Sequence, residues 1–115
     1  MSYVDGFVIP VAKNKVAAYK KMAEEGKKAW MKHGAVQYFE CVADDMNVFP
    51  GCGDFKTLVK LKANETVFFS FIIFKSKAHR NAVNKKVMAE MKMPNAMPFD
   101  PKKMAYAGFK TIVEG

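Results

Sequence analysis

From Thr66 to Phe74 the chain carries no charge and holds its densest cluster of β-branched and aromatic residues, and with Glu65 before it this pattern predicts a strand. Side chains alternate across a strand, so Phe68, Ile72 and Phe74 fall on one face and Val67, Phe69, Phe71 and Ile73 on the other. Only Ser70 interrupts the apolar pattern. A strand that must keep both faces from water belongs at the centre of a sheet.

The remaining segments arrange themselves around it. Ser2 to Val11 reads as a first strand with Tyr3, Asp5, Phe7 and Ile9 on its odd face, closed by Pro10, which suits only a place where no ladder bond is needed. Asn14 is the expected N-cap of a helix in which Val16, Tyr19, Ala23 and Trp30 return at helical spacing. Lys20, Lys21, Glu24, Lys27 and Lys28 lie largely off that stripe. Gly26 inside the helix costs about 1 kcal/mol relative to Ala, which close packing against the sheet would explain. His33 and Gly34 supply a last-turn cation and a C′ residue.

Ala35 to Ala43 is a second strand, with Val36, Tyr38, Glu40 and Val42 facing one way and Gln37, Phe39 and Cys41 the other. Asp44 to Asp54, rich in turn formers, is a loop, and Thr57 to Lys62 reads as a short strand that hairpins through Ala63-Asn64 into the central strand. Ser76 caps a second helix with Ala78, Ala82, Val83, Val87 and Met91 inward, and Pro94 ends it. Met104 to Val113 is the last strand.

Strand, helix, strand, strand, helix, strand is the ferredoxin-like βαββαβ order, an α+β fold in one domain over residues 1–115. Right-handed crossovers make the sheet antiparallel, place the first and the Glu65 to Phe74 strands at its centre, and put both helices on one face. The other face is left bare and apolar, and the expectation that follows is a homodimer closed through it.

Half of the residues are hydrophobic, which is enough for a packed core. The longest apolar run is strand-sized, so no membrane segment is expected. Cys41 and Cys52 have no motif spacing and read as reduced thiols of a cytoplasmic protein. A net charge of +8 raises the question of nucleic acid, but eighteen lysines spread along the chain and one arginine, Arg80, describe a solvated surface without specific nucleic-acid recognition.

Several landmarks in one order give the chain a resemblance: Tyr3-Val-Asp-Gly-Phe7, His33-Gly-Ala35, Glu40-Cys41, Phe69-Ser-Phe71, His79-Arg-Asn-Ala-Val-Asn84 with Lys86-Val-Met88, and Met97-Pro-Phe-Asp100 leading to Gly108-Phe109. In these it resembles the YbaA-like family of uncharacterised small bacterial proteins. That resemblance implies the dimeric α+β barrel superfamily, whose members include cofactor-independent monooxygenases, haem-degrading enzymes, isomerases and proteins without known activity. The haem-degrading members place an Asn, a Trp and a His where this chain has Asp5, Phe71 and His79. Only His79 matches, which argues against haem chemistry.

Candidate chemistry rests on polar residues set among apolar ones. Asp5 and Glu40 are carboxylates on predicted strands, and each must be paired, hydrogen-bonded or proton-shifted. Either is a candidate general base, with His79 a second proton-transfer group and Asn84 or Tyr38 a donor to a developing oxyanion. The alternative is a structural bond from a carboxylate to Ser70, Tyr38 or a lysine. Tyr38, Ser70, Asn84 and Phe71 are the expected binding residues of a pocket between sheet and helices for a small apolar or aromatic molecule. Neither cofactor nor metal is expected, since two His and two Cys match no zinc spacing and Met88, Met91, Met93 and Met97 suit adaptable packing.

Overall fold

A computed structural model describes residues 1–91 and 96–115. Its elements are β1 (Tyr3–Ala12), α1 (Val16–Lys32), β2 (Gln37–Val42), α2 (Phe55–Leu58), β3 (Glu65–Phe74), α3 (Lys77–Glu90) and β4 (Ala105–Lys110). The sheet is antiparallel with strand order β2-β3-β1-β4, the ferredoxin-like arrangement, and β3 and β1 are its central pair.

Register decides which residues share a face. Asp5 pairs with Ile72, Phe7 with Ser70 and Ile9 with Phe68, while Tyr38 pairs with Ile72 and Glu40 with Ser70. The helix-covered face therefore carries Asp5, Phe7, Ile9, Tyr38, Glu40, Ser70 and Ile72 together. Two buried clusters form beneath the helices, one around Ile9, Val11, Tyr19, Ala23 and Phe68 and one around Ala35, Ile72, Phe74, Val83 and Val87. The opposite face presents Phe39, Phe69 and Phe109, all exposed, with Phe39 stacked on Phe71 at 4.8 Å. Val4, Gly6, Val8, Phe69, Phe71 and Phe109 line a groove of about 510 Å³ on that face.

Several boundaries depart from the sequence reading. β1 runs two residues past Pro10 to Ala12. The Lys13 amide donates to Asn64, so odd-numbered amides of β1 point toward β3 and the missing donor of Pro10 faces the β4 side, where pairing already ends at Val8. The first long helix is preceded by a 3₁₀ turn at Lys13–Lys15 and has no side-chain cap, so Asn14 is not its N-cap. Thr57 to Lys62 is not a strand: Asp54 caps the single helical turn Phe55–Leu58 by accepting from the Thr57 amide, which removes the segment from the sheet.

Ser76 caps α3 as expected, accepting from the His79 amide. Of the residues expected inward on α3, Val83 and Val87 are buried, but Ala78 and Ala82 are exposed. The stripe instead passes through Arg80 and Asn84, polar residues that the apolar pattern could not include. Pro94 and Met93 lie outside the described residues. At the end of α1, Gly34 has φ +106°, a left-handed C′ position where a Cβ would be strained, and the Ala35 amide returns to the Trp30 carbonyl.

Candidate functional site

Glu40 collects three hydroxyls. Tyr19 of α1 donates to Oε1 at 2.7 Å, Tyr38, its neighbour on the same face of β2, donates to Oε2 at 2.7 Å, and Ser70 of β3, directly opposite, donates to Oε1. These donors replace the water that a carboxylate loses among apolar side chains. Gly26 belongs to the same construction, because a Cβ there would stand 3.0 Å from the Tyr38 hydroxyl. The glycine thus lets α1 approach β2 closely enough for the network to form.

Burial, reinforced by the Glu40 charge, holds both tyrosine hydroxyls far above the usual tyrosine range, although Ser70 opposes the shift at Tyr19. Both phenols therefore remain neutral donors at physiological pH. The group is a carboxylate with proton donors on both of its oxygens.

This network stands between two cavities. The inner one, about 230 Å³, lies between the sheet and the two long helices. Its walls are Phe7, Ile9, Ile72, Phe99 and the methionines Met22, Met88, Met91, Met97 and Met104, and its polar side chains are Glu40, Ser70, Tyr19, Tyr38 and Trp30. Its volume exceeds that of an engineered apolar cavity of about 150 Å³ that holds benzene. The outer cavity, about 380 Å³, opens at the edge of α1 and β2 and shares Tyr19, Ala23, Tyr38 and Glu40 with the inner one, with Lys20, Glu24 and Lys27 also on its lining.

Asp5 is not part of this site. It is buried, 1% exposed, and faces α3. Arg80 Nε stands 3.2 Å from Asp5 Oδ1, yet neither atom makes a hydrogen bond among the described residues, so the contact is one of charge. Asn84 Nδ2 donates to Asp5 Oδ2 at 3.1 Å, and Arg80 Nη2 donates to the Tyr3 hydroxyl at 3.1 Å. Gly108, paired with Asp5 on β4, leaves room for Tyr3 and Arg80.

The seven residues singled out in the sequence thus divide. Glu40, Tyr38 and Ser70 come together at the cavity. Asp5 and Asn84 form a second cluster with Arg80, so Asp5 is not placed as a base on the cavity and Asn84 is not placed as an oxyanion donor there. His79 lies at the start of α3, where its Nδ1 accepts from the Lys75 amide at 3.0 Å and its ring meets Phe74 edge-on. Phe71 is on the opposite face of the sheet and does not line the cavity. Tyr19 and Trp30 were legible only as apolar helix positions, because helical spacing reveals the buried stripe and not what a hydroxyl or indole at its end will touch. Among the described residues no group of three His, Cys, Asp or Glu could hold a metal ion, and no helix is long and apolar enough to cross a membrane.

Comparison with known proteins agrees with the resemblance. Over 117 aligned residues the chain is 40% identical to the uncharacterized protein YbaA of Escherichia coli (strain K12), covering 99% of each chain, and the same figures hold for YbaA of Shigella flexneri. Among solved structures, the de novo designed protein Foldit4 is 12% identical with a TM-score of 0.49 over 96% of this chain and 99% of its own. A family described as "Protein of unknown function (DUF1428)" matches residues 2–101, and with that match and the YbaA relatives the chain belongs to this YbaA-like family.

Proposed function

We propose that the inner cavity binds a small, largely apolar aromatic molecule bearing a carbonyl, and that Glu40 acts on it as a general base without a cofactor. The observation that carries this reading is a carboxylate held by three hydroxyls on the wall of an otherwise apolar cavity. A carbon acid seated there would lose its proton to Glu40. A hydroxyl released from the carboxylate as it is neutralised would then turn to the enolate oxygen. Where the carbonyl is β,γ-unsaturated the anion is a dienolate, and returning the proton to its far carbon moves the double bond into conjugation, a proton-shift isomerisation that consumes nothing else. Oxygenation would use the same first step with dioxygen as a further substrate.

The active unit of this proposal is a homodimer in a reducing, cytoplasmic environment. Its support is the exposed aromatic face of the sheet, whose burial at about 25 cal/mol per Å² favours association, and two exposed free thiols. Specific nucleic-acid binding forms no part of it, since the one arginine, Arg80, is committed to Asp5 and Tyr3.

Phenylacetone in D₂O tests the chemistry. NMR should show deuterium entering its carbon next to the carbonyl at a rate that Glu40→Gln abolishes. Binding without exchange would replace the enzyme with a non-catalytic binding protein. For the dimer, sedimentation equilibrium at low micromolar concentration should give twice the chain mass and Phe71→Lys should give the monomer. A monomeric wild type would refute that part.

A further inference from the structure

We infer that Asp5 and Asn84 are positioning residues for Trp30, and that this indole is the oriented wall against which the aromatic ring of the ligand stacks. The inference rests on the reading of the inner cavity as a binding site and extends it to residues that do not reach the cavity.

The indole is tied from behind. Trp30 Nε1 donates to Asn84 Oδ1 at 2.9 Å, and the same amide's Nδ2 donates to Asp5 Oδ2 at 3.1 Å. An amide that accepts on one end and donates on the other cannot turn over without breaking both bonds, so Asp5 fixes which end Asn84 offers to the indole. Asp5 is itself held, buried, by the charge of Arg80. Arg80 and Asn84 are four residues apart on α3, so one helix stripe delivers both to the same carboxylate.

In front, Trp30 lines the cavity, and its ring lies 6.0 Å from that of Tyr38, one of the three donors to Glu40. The cluster thus reaches the site through the plane of one ring. Five methionines share the wall with Trp30, and their side chains repack with little resistance. An indole held by its hydrogen bond to Asn84 adds a fixed ring beside them, next to the tethered Tyr38.

Trp30 is the only tryptophan, so its indole N–H gives a single resonance in the ¹⁵N-labelled full chain. The experiment compares solvent exchange of that proton and binding of phenylacetone in the wild type, Asn84→Ala and Asn84→Leu. Both variants keep Asp5 and Arg80, and Leu keeps the branched shape of Asn, in a somewhat larger side chain, without its hydrogen bonds. Exchange should quicken roughly tenfold in both, the size of one net hydrogen bond, and phenylacetone should bind several-fold more weakly. Slow exchange and wild-type affinity in Asn84→Leu would show that Asn84 only fills space and overturn the inference. Fast exchange with unchanged affinity would overturn it too, because the orientation would not matter to the ligand. If the wild type fails to bind phenylacetone, the cavity reading fails and takes the ligand half of the inference with it, whereas the indole exchange still judges the Asp5 and Asn84 tether.

Discussion

Replacing Tyr19 with Phe deletes one oxygen from the centre of the site and little else. The ring is 1% exposed and packs with its centroid 4.2 Å from that of Phe68 and 5.8 Å from that of Phe99, contacts that Phe retains. What disappears is the 2.7 Å hydrogen bond to Glu40 Oε1, leaving that oxygen to Ser70. A hydrogen bond to a charged group is worth about 1.5–3 kcal/mol, so the expected loss is about 2 kcal/mol. For a domain of this length that lowers the melting temperature by roughly 6–12 °C. With Glu40→Gln as the background the acceptor is neutral and the same deletion should cost about 1 kcal/mol or less, since charge assistance roughly doubles such bonds. The coupling between the two positions is then about 1 kcal/mol. Urea unfolding of the four proteins, followed by Trp30 fluorescence and far-UV circular dichroism at one fixed protein concentration, measures it. If Tyr19→Phe costs below about 0.5 kcal/mol, or costs the same in both backgrounds, the hydroxyl and the carboxylate are not partners and the site as described does not exist.

Three further outcomes test separate parts of the structure. The hydroxyls of Tyr19, Tyr38 and Tyr106 are raised, chiefly by burial, so the folded chain keeps protons that the unfolded chain releases above about pH 10. That stability is complete below about pH 10 and is lost as pH rises further, and ionisation of Tyr19 and Tyr38, followed by NMR of ring-labelled tyrosine, should coincide with loss of circular dichroism; Tyr19 and Tyr38 ionising near pH 10 in a fully folded chain would contradict the burial argument. At the acid end, bonds from Lys32 and His33 hold the Glu90 carboxyl below the usual range and join the ends of α1 and α3. The contribution is present above the ordinary glutamate value and fades as pH falls through the folded one, so Glu90→Gln should flatten the acid limb of a stability profile, and an unchanged limb would remove the clasp. Finally, a Cβ on Gly108 would stand 2.5 Å from both Arg80 Nη2 and the Tyr3 hydroxyl, so Gly108→Ala should destabilise by about 1–3 kcal/mol in a thermal melt while leaving the Glu40 network in place.

The chain by itself determined the fold, because period and composition agree along nearly all of it. The uncharged run of Thr66 to Phe74 can only be kept from water as a central strand, and the helical spacing from Val16 to Trp30 and again at Val83 and Val87 supplies the cover for one of its faces. The same alternation placed Glu40 and Tyr38 on one face of β2. What it could not determine was register, which depends on hydrogen bonds between strands far apart in sequence. Only the pairing of Glu40 with Ser70 and of Asp5 with Ile72 puts both carboxylates under the helices, yet on opposite sides of β3 and with different partners. The tertiary structure alone sends Asp5 to Arg80 and Asn84, gives Glu40 to Tyr19, and turns Phe71 away from both. A polar group at the tip of a side chain finds its partner by reach and direction across the core, and neither is written in the spacing of hydrophobic and polar positions.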